Sequence, residues 1–473
     1  MSDRIAKAAP FSGAPHLTVP SLLGATLGKP FLYRIPALGE RPMTFSVSGL
    51  PEGIALDGQI LTGVAAEKGE WEVEITARNA RGSAMKRIRL TCDEDNSLRT
   101  PLLGFTTWNA FAHDVNQEDV QRTARQLVDM GIADYGYAYV NLDSGWQKEY
   151  GGEFDAIQPN PKFPDMKGMY GCIHSLGLRG GIYSTPMKTA WGCPPEYESI
   201  PGCTRGEQDP LRTNCMGGVC KEHMEINNVR QWEAWGVDYL KYDWNLCDPL
   251  TADEMKRALL TANRDIPLCV TTNAHECYGH YWTENCCSWR KNPDSFDNWP
   301  RFSLIIPTVD APWKKYVRPG HFFDLDMLEI GDMFWNKGKR GLSEEEYLFC
   351  YSLRAFFASP IQLSCRLENL TEFEFDMICN EEVIAVNQDA LADYPDELRR
   401  DESMRIYRRA LENGDTAYAL FNMKNEENEA EIEMPACAVI RDVWKKENVP
   451  AASNFVCKLP PHGARIFRVT PAE

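Results

Sequence analysis

The sequence predicts an α/β protein: a (β/α)8 TIM barrel flanked by an N-terminal all-β module and a C-terminal antiparallel β-sandwich. Three observations predict it. Residues 14 to about 92 alternate apolar and polar positions with the period of a strand. From about 100 to 390, short apolar runs alternate with helical patterns eight times, as a closed parallel barrel requires. From about 391 the helical pattern stops and short alternating strands return. The expected domains are 1–97, 98–390 and 391–473.

Along the chain, Trp71-Glu72-Val73-Glu74-Ile75-Thr76-Ala77 and Ile88-Arg89-Leu90-Thr91-Cys92 alternate cleanly, with Pro51, Gly53, Gly58 and Gly82 as turn formers between runs. The polar stretch Asp93-Glu94-Asp95-Asn96-Ser97 makes a boundary. A first barrel strand ends at Trp108, and Asn116 then caps a helix whose Val120, Ala124, Leu127 and Val128 share one face before Gly131 stops it. Further strands are expected at 139–143, 180–183, 239–243 and 268–272, around Trp289, and at 321–326 and 360–364. Ser343 and Glu346 form a capping box for a helix through Tyr347, Leu353 and Phe357. In the C-terminal region, residues 416–421 and 464–469 read as strands among Pro435, Pro450, Pro460, Pro461 and Gly463.

In such a barrel every strand delivers its C-terminal end to one rim, where active sites form. Trp108, Asp143, Tyr183, Lys241, Asp243, Arg290, Asp294 and Asp326 all fall at or just past expected strand ends, so they should converge. Most telling is Val237-Asp238-Tyr239-Leu240-Lys241-Tyr242-Asp243, an apolar strand that stops at a lysine and a carboxylate. Ser288-Trp289-Arg290-Lys291-Asn292-Pro293-Asp294 supplies a second acid beside cations. An Asp at a strand end is most often a turn former or helix cap. In a segment that otherwise reads as buried, however, an acid is costly without a partner or a task. Two acids from separate strand ends are what glycoside hydrolysis needs, one to attack the anomeric carbon and one to protonate the departing oxygen. Asp297 is the rival for the acid role and reads more naturally as a surface or helix-start residue.

Charge and composition narrow the field. A formal net charge of -18 argues against a nucleic-acid partner and leaves a neutral sugar unaffected. No apolar run is long enough to span a membrane. The stretch Met1-Ser2-Asp3-Arg4-Ile5-Ala6-Lys7 lacks the apolar core of a secretion signal, so a cytoplasmic location is expected. Sixteen cysteines include Cys193, Cys203, Cys215, Cys220 and Cys247 without zinc-like spacing, and two readings stand: free thiols, or one or two loop disulfides. With 8 histidines and no paired-histidine motif near a strand end, neither a metal nor a cofactor is expected. The expected partner is an oligosaccharide or glycoside, and a homo-oligomer stays open.

Several motifs together resemble glycoside hydrolase family 27, the α-galactosidase and α-N-acetylgalactosaminidase family. They are Gly104-Phe105-Thr106-Thr107-Trp108, Asn141-Leu142-Asp143, Gly181-Ile182-Tyr183, the segment 236–243, Asp324-Leu325-Asp326-Met327-Leu328, and Glu382-Val383-Ile384-Ala385-Val386-Asn387-Gln388-Asp389. The similarity covers about 100 to 390 and continues weakly beyond. It implies a retaining exo-acting mechanism with Asp243 as nucleophile, kept ionised by Lys241, and Asp294 as general acid/base. It further implies that Trp108 offers a flat face to a pyranose, that Asp143, Lys241 and Arg290 grip hydroxyls, and that Asp326 completes the wall. Tyr183 reads either as a pocket residue or as core packing. Separately, residues 50–57 with 61–63 resemble the immunoglobulin-like repeats appended to bacterial surface and carbohydrate-active enzymes, which makes the N-terminal module a spacer or platform.

Two departures bear on specificity. Asp143 is followed by Ser144, where the family pattern carries a second aspartate, and Thr272-Asn273-Ala274-His275 stands where the family carries a glutamate-tryptophan-proline. Ser144 and Thr272 therefore join the expected substrate-binding residues. α-Galactosidase activity leads, followed by α-N-acetylgalactosaminidase, β-L-arabinopyranosidase or isomalto-dextranase-like activity, and then a non-catalytic sugar-binding barrel. A long insertion from Met187 to about Met224 reads either as a cap on the pocket or as a loop pinned by its own cysteines.

Overall fold

The computed structural model describes residues 4–94, 98–186, 223–244, 247–434 and 439–471. The expected insertion from 187 onward, with Cys193, Cys203, Cys215 and Cys220, lies almost wholly outside the described residues, as do Asp95, Asn96, Ser97 and Pro435.

Eight parallel strands form one sheet: Leu103–Thr106, Tyr139–Leu142, Arg179–Ser184, Tyr239–Asp243, Leu268–Thr271, Ser288–Trp289, Phe322–Phe323 and Ile361–Leu363. Their order in space follows the chain, and the eighth lies beside the first. A parallel bridge from Leu328 to Leu363 closes the ring past the seventh strand. The first four strands are mostly buried, because a barrel strand is covered by side chains inside and by helices outside.

Strand seven is shorter than the expected 321–326. The Asp326 backbone N–H donates to Asp324 Oδ1 at 2.7 Å, and Asp326 itself turns into the left-handed region at φ +72°. A carboxylate bonding two residues ahead competes with the ladder and ends it. The first strand likewise stops at Thr106, and Trp108 opens a single helical turn, Trp108–Phe111.

The helices follow their caps. Gln117–Asp129 begins at a capping box between Asn116 and Asp119, and Gly131 stops it at φ +78°. Glu344–Phe356 begins at the expected Ser343 and Glu346 box and is buried along nearly its whole length. One reason is Arg354, whose guanidinium donates to the backbone carbonyls of Leu325, Asp326, Met327 and Cys350. The other is the C-terminal region, where Trp444 Nε1 donates to Ser352 Oγ at 3.0 Å and Arg409 donates to the Phe356 carbonyl at 2.9 Å.

The N-terminal strands form a four-stranded sheet, a three-stranded antiparallel sheet and a short pair around one shared core that includes Leu23, Phe31, Leu61, Val73 and Ile88. They rest on the end of the barrel where strands begin: Arg41 pairs with Asp134 at 2.5 Å, Arg179 Nε donates to the Leu32 carbonyl, and Thr26 donates to Asp265. The C-terminal strands make a six-stranded antiparallel sheet facing the pair Asn428–Glu433 and Asn454–Leu459, with a core of Ile406, Leu420, Ile432 and Phe467. Eleven cysteines among the described residues, Cys247 included, are free thiols. No helix among the described residues is long and apolar enough to cross a membrane.

Candidate active site

At the end of the barrel where strands finish lies a cavity of about 800 Å³. All ten residues expected in the site line it: Trp108, Asp143, Ser144, Tyr183, Lys241, Asp243, Thr272, Arg290, Asp294 and Asp326. Each stands where the apolar strand pattern gives way, so the barrel itself gathers them. Tyr183, whose sequence reading was open between pocket and core, is buried but donates its hydroxyl to Asp243 Oδ2 at 2.9 Å.

Two cations organise four carboxylates. Lys241 Nζ lies 2.7 Å from Asp143 Oδ2, which also accepts from Thr106 Oγ1, while Asp143 Oδ1 accepts the Ser144 N–H at 2.8 Å. Lys241 therefore bonds Asp143 directly and acts on Asp243 through its charge, which pulls that carboxyl down. Arg290 donates to the hydroxyls of Thr271 and Thr272, to Asp294 Oδ1 at 2.8 Å and to Asp326 Oδ2 at 2.5 Å. Such a planar fork of donors suits several acceptors at once. Asp143 and Arg290, expected to grip substrate hydroxyls, both line the cavity, and both are bonded to neighbouring side chains in it.

Electrostatics separates these acids. Burial pushes the Asp243 carboxyl up to about 6, although Lys241, Arg290 and the Tyr183 hydroxyl pull it down and Asp294 adds to the rise. Burial acts the same way on Asp326, but there Arg290, Lys241 and the Ser295 N–H prevail and hold it below its ordinary value. Burial would lower Lys241, yet Asp143, Asp243 and Asp326 keep it firmly charged. Asp294 is open to water, its side chain 70% exposed.

Asp297 is half-buried and also lines the cavity, but both of its oxygens are bonded to another segment of the chain. Its two oxygens accept from Asn336 Nδ2 at 2.9 Å, Gly341 N at 2.8 Å, Leu342 N at 3.1 Å and the Tyr347 hydroxyl at 3.0 Å. Asn298, not Asp297, caps the next helix. Asp297 thus ties the loop after strand six to the segment before the Glu344–Phe356 helix.

Sequence reasoning missed other wall residues, among them Asn109, Phe296, Arg301, Glu329 and Trp335. Asn109 donates to Glu329 Oε1 at 3.1 Å, and burial pushes that carboxyl well above its usual range. A glutamate inside the apolar run 325–330 was the available signal. Among the described residues, one group could hold a metal, His223 with Glu225 and Glu254, and none of the three lines the cavity.

The chain matches the family described as Alpha galactosidase A over residues 100–205 and 207–389, and the Alpha galactosidase C-terminal beta sandwich domain over 401–469. It is 27% identical to an alpha-galactosidase of Oryza sativa subsp. japonica over 422 residues, 86% of this chain and 93% of that protein. The crystal structure of alpha-galactosidase I from Mortierella vinacea superposes with a TM-score of 0.68 at 25% identity, covering 79% of this chain and 98% of that one. A Bacteroides fragilis protein of known crystal structure superposes with a TM-score of 0.86 at 27% identity over 98% of this chain and 99% of its own, so the likeness takes in the N-terminal sheets as well.

Proposed function

The chain belongs to the Alpha galactosidase A family, and on that footing we propose a retaining, exo-acting glycoside hydrolase that releases a terminal α-linked galactose or a closely related pyranose. The observation that carries this reading is the pair Asp243 and Asp294. They come from the ends of strands four and six, line one cavity, and are both within reach of Arg290.

In the first step Asp243 Oδ attacks the anomeric carbon as the bond to the leaving oxygen breaks, and Asp294 gives that oxygen its proton. In the second, Asp294 takes a proton from water, whose oxygen attacks the same carbon and releases Asp243. A retaining enzyme holds such carboxyl groups ~5 Å apart. Tyr183 presents Asp243, and Arg290 holds Asp294 through one oxygen. Trp108 supports the apolar face of the sugar.

Ser144 and Thr272 set the specificity. A serine offers a neutral hydroxyl where a carboxylate would accept strongly, and Thr272 already accepts from Arg290, so the hydroxyls of the ring facing these positions are read more weakly. The N-terminal sheets form an immunoglobulin-like platform beneath the barrel, at the end opposite the reacting rim.

The test is a side-by-side screen of aryl α-galactoside, α-N-acetylgalactosaminide, β-L-arabinopyranoside and α-glucoside, with Asp243→Asn as control. Turnover of the α-galactoside with retention of anomeric configuration, absent in the variant, is expected. Inversion would exclude a covalent role for Asp243, and undiminished turnover by the variant would remove Asp243 from the mechanism altogether.

A further inference from the structure

We propose that the cavity holds a second, outer subsite for a carbohydrate leaving group, built on the open face of Trp335; this rests on the hydrolase reading above. Trp335 lines the same cavity as Asp243 and Asp294, yet its side chain is 54% exposed. Exposure alone means little, since single apolar residues are common on surfaces. What distinguishes Trp335 is how firmly it is held while uncovered. Its ring N–H donates to Asn109 Oδ1 at 3.2 Å, Trp108 packs against it with ring centres 5.9 Å apart, and Phe334 meets its edge at 4.9 Å. Phe334 N in turn donates to the Asn109 carbonyl at 2.6 Å.

The segment bearing Trp335 is fixed as well, through the bonds that Asp297 accepts from Asn336, Gly341 and Leu342. Gly341 runs so close that an added Cβ would lie 1.8 Å from the Asp297 carbonyl oxygen, so only glycine fits there. A rigid indole that stays wet in the free protein has its ordering cost met before anything binds, which is how a preformed platform gains affinity.

The surroundings fit a sugar. Trp108 contacts Trp335, so the outer platform continues the inner one. Phe296, 41% exposed and two residues past Asp294, adds a second aromatic wall, with the Arg301 guanidinium 4.5 Å over its ring. Aromatic faces beside a guanidinium and side-chain amides match a pyranose, which has an apolar C–H face and a rim of hydroxyls. A lipid tail would need an unbroken apolar lining.

The experiment compares kcat/KM for a glycosyl fluoride and a disaccharide of the sugar that the screen identifies. Fluoride leaves the outer subsite empty, and a second ring fills it. Trp335→Ala should lower the disaccharide-to-fluoride ratio about tenfold, the scale of one lost aromatic contact, and Trp335→Phe should recover most of it. Phe296→Ala, on the other loop, should lower the same ratio by a smaller factor. An unchanged ratio, or equal loss on both substrates, overturns the proposal. A larger loss on an aryl glycoside than on the disaccharide overturns it too, by assigning the platform to an aromatic aglycone. Wild-type protein that turns over neither substrate would instead sink the hydrolase reading itself.

Discussion

Asp238 and Asp243 stand at the two ends of the fourth strand and have opposite environments. At the lower end burial would raise Asp238, but His174 at 2.8 Å, Arg264 at 2.5 Å and the Gly180 N–H outweigh it and hold the carboxyl below its ordinary value. At the upper end Lys241 and Arg290 are also present, yet their direct bonds go to Asp143, Asp294 and Asp326, and burial wins at Asp243. The same residue type is a brace where its partners bond it directly and a reactive group where they bond its neighbours.

The contrast can be broken by substitution. Asp243→Asn should lower turnover on the order of 10⁴-fold, as removal of a covalent nucleophile does, while the thermal midpoint at pH 7 stays level or rises. A lower midpoint would show that the cations depend on Asp243 after all. Arg290→Lys should lower kcat/KM about 10²-fold, because an ammonium cannot serve Thr271, Thr272, Asp294 and Asp326 together. The matching exchange below, Arg264→Lys, should leave kcat unchanged and cost about 1 to 2 kcal/mol in urea unfolding, because Arg264 gives Asp238 two hydrogen bonds in a largely buried site. Asp238→Asn should cost about 2 kcal/mol in urea unfolding, with kcat per folded molecule unchanged.

The smallest effect is in pH. Below about 6 the wild-type kcat/KM should fall tenfold per unit as Asp243 takes up its proton. Stability runs the other way at this residue. The folded carboxyl holds its proton more tightly than the unfolded one, so ionising it as pH rises from 3.8 to about 6 costs stability, and Asp243→Asn escapes that loss. Asp238, held low when folded, contributes fully above 3.8, and its contribution fades as pH falls through its folded value. Parallel pH–stability curves for the two asparagine variants would contradict the contrast.

Most of the inner pocket was legible because a barrel converts sequence position into place: a polar residue that ends an apolar run arrives at the rim. That logic reaches Asp143, Tyr183, Lys241, Asp243 and Arg290 without any side-chain geometry. It fails where a residue's role depends on a partner distant in sequence. Lys241 bonds Asp143 across strands, and the backbone turn at Asp326 depends on Asp324 and Arg354 together. Trp335 lies in a stretch with neither strand nor helix period, so nothing in the pattern marked it. Asp297 resembles any acid ahead of a helix until the segment around Gly341 is folded against it.

Arg354 has a consequence for engineering. Its guanidinium clasps the carbonyls around Asp326, and the helix that carries it is seated on the last strands of the chain. Exchanging the terminal sandwich for that of a homologue is therefore not a neutral graft. It would shift the floor beneath the sugar, and chimeras built to alter solubility or assembly should also alter which glycosides are accepted.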